Sequence, residues 1–363
     1  MRIILLKTWL YNIGNGFIDM GAKAALEQAM PDAEVVETSG YPNFVAEEKA
    51  TGNAGNLVSR ALGRDIGTDR RDEIFGNVVN VAEMLDGDVA VLPGCVLSEH
   101  ALSRYAPVLE SLRERDIPIV LLGASGSSYD DNEYEYVTEQ LQRLEPDALI
   151  TRDNITYDWY ADQVPCAERG IDNAFFIDDW FTPPELNEEL DVRTFDKRDE
   201  PPSLGDGGEY RIVRPHHNSF GYPFQGITKQ FVRQPDRRLN LGNSYVEIAK
   251  EILRTPVEDD LFSEEGVFFS DSLKDYLTIY GNAAETHSDR VHACVPTLVY
   301  GNRARLQFST LRADLFNRVT DEEDITEGFV TIDEERLTTE KEKQVSALRT
   351  ALKRATEQTP KAK

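Results

Sequence analysis

The stretch Thr286-His287-Ser288-Asp289-Arg290-Val291-His292-Ala293, followed by an apolar run to Tyr300-Gly301 and then by Arg303-Ala304-Arg305-Leu306-Gln307-Phe308, decides how this chain is read. It spells a strand end, a capped helix start, a helix, a glycine stop and a return strand. Ser288 suits an N-cap, Asp289 the first turn and Gly301-Asn302 the C-terminal stop, which puts Arg290 and His292 in the opening turn. That end of a helix carries unpaired N–H groups and partial positive charge. A phosphate or carboxylate there meets backbone donors, the dipole and a guanidinium, with an imidazole beside them for proton transfer. Pro296 inside the expected helix removes a backbone bond at a cost of about 3 kcal/mol and predicts a kink or a shorter helix.

On either side of this stretch, short Val- and Ile-rich runs alternate with amphipathic segments. Arg2–Lys7, Ala33–Thr38, Asp88–Leu92, Ile117–Leu122 and Asp147–Thr151 read as buried parallel strands. Helical patterns lie between them around Phe17–Ala29, Glu99–Arg115, Glu133–Leu144 and Ile155–Ala161, so the first half reads as repeated βαβ units. From Trp180 to Tyr210 the rhythm breaks into Pro- and Gly-rich charged sequence. It resumes with strands at Arg211–Pro215, Gly266–Ser270, Ala284–His287 and Ala304–Phe308, and helices at Tyr245–Leu253 and Leu273–Tyr280. Glu334 to Gln358 carries Leu337, Val345, Leu348 and Leu352 along one stripe and reads as a closing helix, packed on one domain or crossing back to the other. At 363 residues the chain suits two domains. The expected division is an N-terminal Rossmann-like domain over 1–185, a linker over 186–209, a second Rossmann-like domain over 210–330, and a closing helix with a frayed tail over 331–363.

The formal charge of −26 arises from 65 Asp and Glu against 39 Lys and Arg, with no lysine between Lys49 and Lys197. Such a surface resembles that of proteins kept soluble in a salt-rich cytoplasm, where screening removes the self-repulsion, with an ordinary acidic protein as the alternative. It argues against nucleic-acid and anionic-membrane partners, and anionic small substrates must then be gripped locally by clustered arginines such as Arg290, Arg303 and Arg305. Three scattered cysteines, Cys95, Cys166 and Cys294, predict neither disulfides nor a metal knuckle. The opening apolar run is too short for a signal segment, and no stretch approaches a membrane span, so a cytoplasmic protein is expected.

Ser288-Asp289-Arg290-Val291-His292-Ala293, leading to Leu298-Val299-Tyr300-Gly301-Asn302, resembles the S/T-x-R-L-H-A…G-x-P signature of polysaccharide pyruvyl transferases. Gly14-Asn15-Gly16 with Asp19, Thr151-Arg152-Asp153-Asn154-Ile155-Thr156 like the family's R-D-x-x-S, and Asp172-Asn173-Ala174-Phe175 like its D-P-A-F follow in the family's order over most of the chain. The chain departs from the family at Leu92-Pro93-Gly94-Cys95 and at Gly123-Ala124-Ser125-Gly126, where glycine-rich loops are expected.

The resemblance implies two Rossmann-like α/β domains in a GT-B-like arrangement, with substrate in the cleft between them. It further implies transfer of a pyruvyl group from phosphoenolpyruvate to a sugar of a surface or secreted glycan, forming a ketal. On that reading His292 carries the proton and Arg290 grips the donor, assisted by Ser288, Arg303, Arg305 and His217, while Asn15, Asp19, Arg152 and Asp153 face a glycan or lipid-linked sugar acceptor. Phosphoenolpyruvate would be the donor substrate, with no cofactor. The residues leave alternatives beside these roles: Gly14-Asn15-Gly16 serves as a turn, Arg152 and Asp153 bridge each other, and Arg290 is a solvated charge opposing the helix dipole. Of His216 and His217, adjacent on an extended chain, at most one faces a cleft. His287 and His292, five apart, are poorly spaced as ligands, and no metal is expected. Two other functions fit the same sequence: a GT-B nucleotide-sugar glycosyltransferase with a diphosphate at the same helix start, and a catalytically silent relative that binds glycan.

Overall fold

The computed structural model describes residues 1–8, 12–40, 79–196, 198–205, 208–217, 265–320 and 324–358. Among them two sheets form, and every strand pairing within them is parallel. The first comprises β1 (Arg2–Lys7), β2 (Glu34–Ser39), β3 (Val89–Pro93), β4 (Ile119–Ala124), β5 (Ala148–Thr151) and β6 (Ala167–Arg169), in the order β2-β1-β3-β4-β5-β6. The second comprises β7 (Leu190–Thr194), β8 (Arg211–Pro215), β9 (Val267–Phe268), β10 (Ala283–Ser288) and β11 (Arg303–Leu306), in the order β11-β10-β7-β8-β9. The helices are α1 (Ile13–Ala29), α2 (Glu99–Glu114), α3 (Asp131–Leu144), α4 (Asn154–Tyr160), α5 (Ile177–Trp180), α6 (Leu273–Gly281), α7 (Val291–Val299) and α8 (Glu334–Gln358). These are two Rossmann-like α/β domains in a GT-B-like arrangement.

The first sheet forms where it does because its strands are apolar on both faces. Ile3 and Leu5 join one core cluster with α1, while Ile4 and Leu6 join a second with α2 and α3. The first cluster continues through Ala293, Cys294 and Leu298 of α7 to Leu348 and Leu352 of α8, so one apolar layer runs from domain to domain. Helix α8 crosses back onto the first domain, where Gln344 bonds Ile171 N and Asn173 Oδ1, and Arg349 Nε donates to Ala29 O. All three cysteines are free. No helix among the described residues is long and apolar enough to cross a membrane.

Two expectations change, and a third, the shortening of the helix at Pro296, holds. Leu190–Thr194, inside the stretch read as a linker, is β7, which lies between β10 and β8 in the second sheet. Leu190 and Val192 enter the core, while Asp191 and Arg193 alternate with them and pair with each other, Arg193 also reaching Glu200. The signature helix begins at Val291 with Arg290 as N-cap, and Ser288 is the last residue of β10. With Pro296 inside it, α7 is nine residues long, and the chain turns away at Gly301 with φ of 85°, a left-handed conformation that glycine adopts without strain. The helix expected at Tyr245–Leu253 lies outside the described residues.

Candidate functional site

The domains meet where the first turn of α1 faces the carboxyl ends of the second sheet. Ile13 N donates to His217 O at 2.9 Å, just beyond β8. Gly14 is required here: a Cβ on it would come within 2.7 Å of the His292 Cβ. This approach brings the start of α1 against the start of α7 and leaves a pocket of ≈120 Å³ between them, lined by Asn12, Arg198, His217, Arg290, His292 and Arg312 among others. A broader groove of ≈610 Å³ near the start of α8 is lined by Arg318, Arg336 and Lys343 against Asp333 and Glu340, but each of these three cations is paired with one of the two carboxylates, so the groove does not present a cluster of free cations.

Two buried carboxylates position His292 and Arg290 in the pocket wall. Asp172, 1% exposed, accepts from Arg152 and bonds His292 Nε2 at 3.2 Å. Burial works against its charge, but Arg152 and His292 beside it hold the carboxyl well below the usual carboxylate range. Since a carboxylate can only accept, His292 Nε2 carries the proton and Nδ1 the lone pair. Burial also lowers the His292 pKa despite Asp172, so the ring is neutral at pH 7. It is therefore a base whose protonated form has a counter-ion in place, the logic of an Asp–His pair. Asp196, just past β7, contacts Arg290 Nε at 3.2 Å and His216 Nδ1 at 3.1 Å and accepts from His217 N at 3.1 Å. Its burial is opposed by His216 and Arg290, which keep it ionised. Asp289 accepts from the backbone N–H groups of Asp196 and Arg198, fixing that loop, and Arg198 stacks over the Phe308 ring at 4.1 Å. Arg312 reaches across to Ser127 Oγ at 2.9 Å.

Of the residues expected from the sequence, Arg290, His292 and His217 come together in this pocket. Ser288 lies beneath it, donating to Thr194 O and accepting from Arg290 N. Arg303 and Arg305 do not join them: β11 turns Ala304 and Leu306 into the core, and Arg303 pairs with Glu285 and covers the Phe329 ring instead. Their place is taken by Arg198 and Arg312. On the acceptor side Arg152 bridges Asp172, not its neighbour Asp153, which caps α4 by accepting from Thr156 N and also binds Tyr129 OH. Asp19 is buried against Thr8, pinning β1 to α1. Asn15 lies within α1, and the pocket wall uses Asn12. His216 stacks on Phe269 at 4.9 Å while His217 faces the pocket, as the alternation of an extended chain requires. The sequence pointed to neither Asp196 nor Asp172 as a positioning group. The signals were Thr194-Phe195-Asp196 at the end of an alternating run and the quoted Asp172-Asn173-Ala174-Phe175.

The loop after β4 is filled from within. Glu133 accepts from the backbone N–H groups of Ser127, Ser128 and Tyr129 at 2.9, 3.0 and 3.0 Å, so this chain supplies its own anion to that turn. Asp191, Glu285 and His287 place one ligand-capable atom each within 4.8 Å of the others, but Arg193 and Arg303 already serve as the cations there.

No family model matches this chain, and no curated protein does. Its fold is similar to that of several solved structures. S. aureus MnaA, in a co-structure with UDP, is 11% identical at a TM-score of 0.48 over 98% of this chain and 93% of that one. UDP-GlcNAc 2-epimerase from Neisseria meningitidis, bound to UDP-GlcNAc, is 12% identical at 0.46 over 96% and 94%. The E. coli heptosyltransferase WaaC with ADP-2-deoxy-2-fluoro heptose is 13% identical at 0.37 over 84% and 87%. At such identities and scores the likeness describes fold and decides no substrate. No pyruvyl transferase is among these three, so the activity implied by the sequence resemblance finds no support in them.

Proposed function

We propose that this chain is a sugar-processing enzyme of GT-B type whose interdomain pocket holds the phosphate groups of a sugar-nucleotide donor at the start of α7, with His292 as the group that takes up a proton. The observation that carries the reading is the convergence of Arg198, Arg290 and Arg312 with His217 and His292 on one helix start, in a chain whose net charge is −26. Guanidinium groups and N-terminal backbone donors suit phosphate oxygens, and a histidine with a buried counter-ion suits proton transfer. The acceptor or sugar portion extends toward the carboxyl ends of the first sheet.

Phosphoenolpyruvate-dependent pyruvyl transfer is the second reading. It is favoured by the Ser288-to-Ala293 signature and by a pocket of ≈120 Å³, well below the roughly 300–1,000 Å³ of ordinary ligand sites and closer to a small donor. Equilibrium binding in molar KCl separates the two. UDP, UDP-GlcNAc and ADP on one side and phosphoenolpyruvate on the other are titrated while the unfolding midpoint is followed, because a ligand of the native state raises it. Stabilisation by the nucleotides and not by phosphoenolpyruvate supports the first reading, and the reverse supports the second. If neither class stabilises the protein, both are wrong. Binding of a donor or glycan without turnover identifies a silent relative.

A further inference from the structure

His217 is fully buried, yet it lines the pocket, and its Nδ1 has no hydrogen-bond partner among the described residues. A buried polar atom left unpaired is rare in native proteins and calls for an explanation. The other ring nitrogen, Nε2, lies 2.6 Å from Tyr280 OH, and Tyr280 OH lies 3.0 Å from Thr194 Oγ1. Both partners are fully buried, Thr194 at the end of β7 and Tyr280 on α6.

The separation indicates which way the protons run. Bonds donated by N–H groups cluster at about 2.9–3.0 Å, while those donated by hydroxyls are shorter, about 2.5–3.0 Å. At 2.6 Å the Tyr280 hydroxyl is the better donor, and Nε2 accepts. The Thr194 hydroxyl then donates to the Tyr280 oxygen, and the ring's one proton sits on Nδ1. Burial excludes the doubly protonated form, pushing the His217 pKa down to about 3 even with Asp196 nearby. The ring is also held in place: its backbone N–H is fixed on Asp196 and its carbonyl accepts from Ile13 N.

We infer that His217 is locked by the Thr194–Tyr280 line in its neutral Nδ1–H tautomer and offers that N–H to an anionic oxygen of the bound donor, with Tyr280 as a positioning residue. The inference rests on the anion-binding reading of the pocket and adds an uncharged donor to its arginines. It gives the unpaired Nδ1 a partner that is present only when ligand is bound. It also explains why a hydroxyl from α6 is spent on a histidine that touches the opposite domain.

The test uses the full chain labelled with nitrogen-15 histidine in molar KCl. The chain has five histidines, so the His217 ring is assigned by the signals that vanish in His217→Asn. The expected spectrum shows Nδ1 protonated and Nε2 bare, unchanged across about pH 5 to 8, where ordinary histidines charge. Tyr280→Phe, which removes one oxygen, should mix the tautomers. UDP and phosphoenolpyruvate are then titrated, and whichever raises the unfolding midpoint should move the His217 Nδ1–H resonance. The amide nitrogen of Asn stands near the position of Nδ1 and that of Gln near Nε2. His217→Asn should therefore keep most of the affinity, and His217→Gln should weaken binding roughly tenfold or more, the scale of a hydrogen bond to a charged group.

A wild-type ring protonated at Nε2 overturns the lock. Binding that leaves the ring signals unmoved, or that Asn and Gln weaken equally, overturns the donor role while the functional reading stands. If no probe raises the midpoint, it is the functional reading that fails, and the tautomer in the free protein still decides the lock.

Discussion

Replacing Asp172 by Asn should destabilise the protein by about 3–5 kcal/mol, the cost of stranding one member of a buried ion pair. The carboxylate is 1% exposed and its partner Arg152 2%, so water cannot take its place. The change is narrow in other respects. Asp172 Oδ1 accepts from Ala174 N at 2.8 Å, a bond the Asn carbonyl can keep, while Oδ2 faces both Arg152 and His292. An amide in that position turns a donor toward two donors and leaves a guanidinium without a counter-charge. The pH dependence has a definite sign. The folded carboxyl lies below its ordinary value because Arg152 and His292 outweigh burial, so its stabilisation is complete above the unfolded value of about 3.9 and is lost as pH falls through the folded value. The wild type should thus lose more stability in acid than Asp172→Asn does. Urea unfolding of the full chain at pH 7 in molar KCl measures the first effect. Adding Arg152→Met to Asp172→Asn should recover about 2 kcal/mol or more, since the stranded charge is gone. A cost below about 1 kcal/mol, the scale of an exposed pair, or strict additivity in the cycle would refute this account of the site.

His292→Asn should keep the fold and lower turnover by roughly 10²–10⁴, the share typical of a general acid–base group; a fully active variant would make His292 a packing residue. Arg290→Gln should weaken donor binding by about 1.5–3 kcal/mol, read by calorimetry at fixed high salt, and an unchanged Kd removes Arg290 from the site. The unfolding midpoint should rise from dilute buffer to molar KCl as the Debye length shrinks from about 30 Å to 3 Å, and no change would end the halophilic interpretation of the −26 charge. Asp19, whose burial lifts its carboxyl to about 7 against the bonds from Thr8, stabilises most below its unfolded value near 3.8 and loses that contribution as pH rises through about 7. Asp19→Asn should flatten that part of the thermal midpoint's pH profile, and an unaltered profile would show that the carboxyl is not perturbed.

The first sheet was legible because β1, β3, β4 and β5 are buried on both faces and therefore appear as unbroken apolar runs. Strand β7 was not, because Asp191 and Arg193 interrupt it; each is stable inside only as the other's partner, a fact no local window contains. The same limit governs the site. Arg290 and His292 were found because a helix start has its own grammar. The carboxylate that orients His292 lies 120 residues away, and Arg152, its other partner, lies 20 away. Arg303 and Arg305 lie close to Arg290 in sequence but not in space. In register, Arg305 stands opposite His287 and Arg303 opposite Glu285, beside a strand whose other face holds the core.

An acidic chain that binds an anion faces a long-range field of the wrong sign, and the pocket's own composition does not simply reverse it. Arg198, Arg290 and Arg312 stand at the mouth, but Asp172, Asp196 and Asp289 stand behind them, so charge is nearly matched within the site. Such a site gains little from bulk attraction. Its affinity has to come from donors fixed in direction: an arginine held by Asp196, a loop held by Asp289, a histidine held by Asp172, and the backbone N–H groups of α7. Fixed donors lose no side-chain freedom when the ligand arrives, and hydrogen bonds at contact distance survive salt that reduces the screening length to about 3 Å. On the proposed reading the buried aspartates give up net charge for geometry, and that exchange would let a surface of net charge −26 coexist with a pocket built for phosphate.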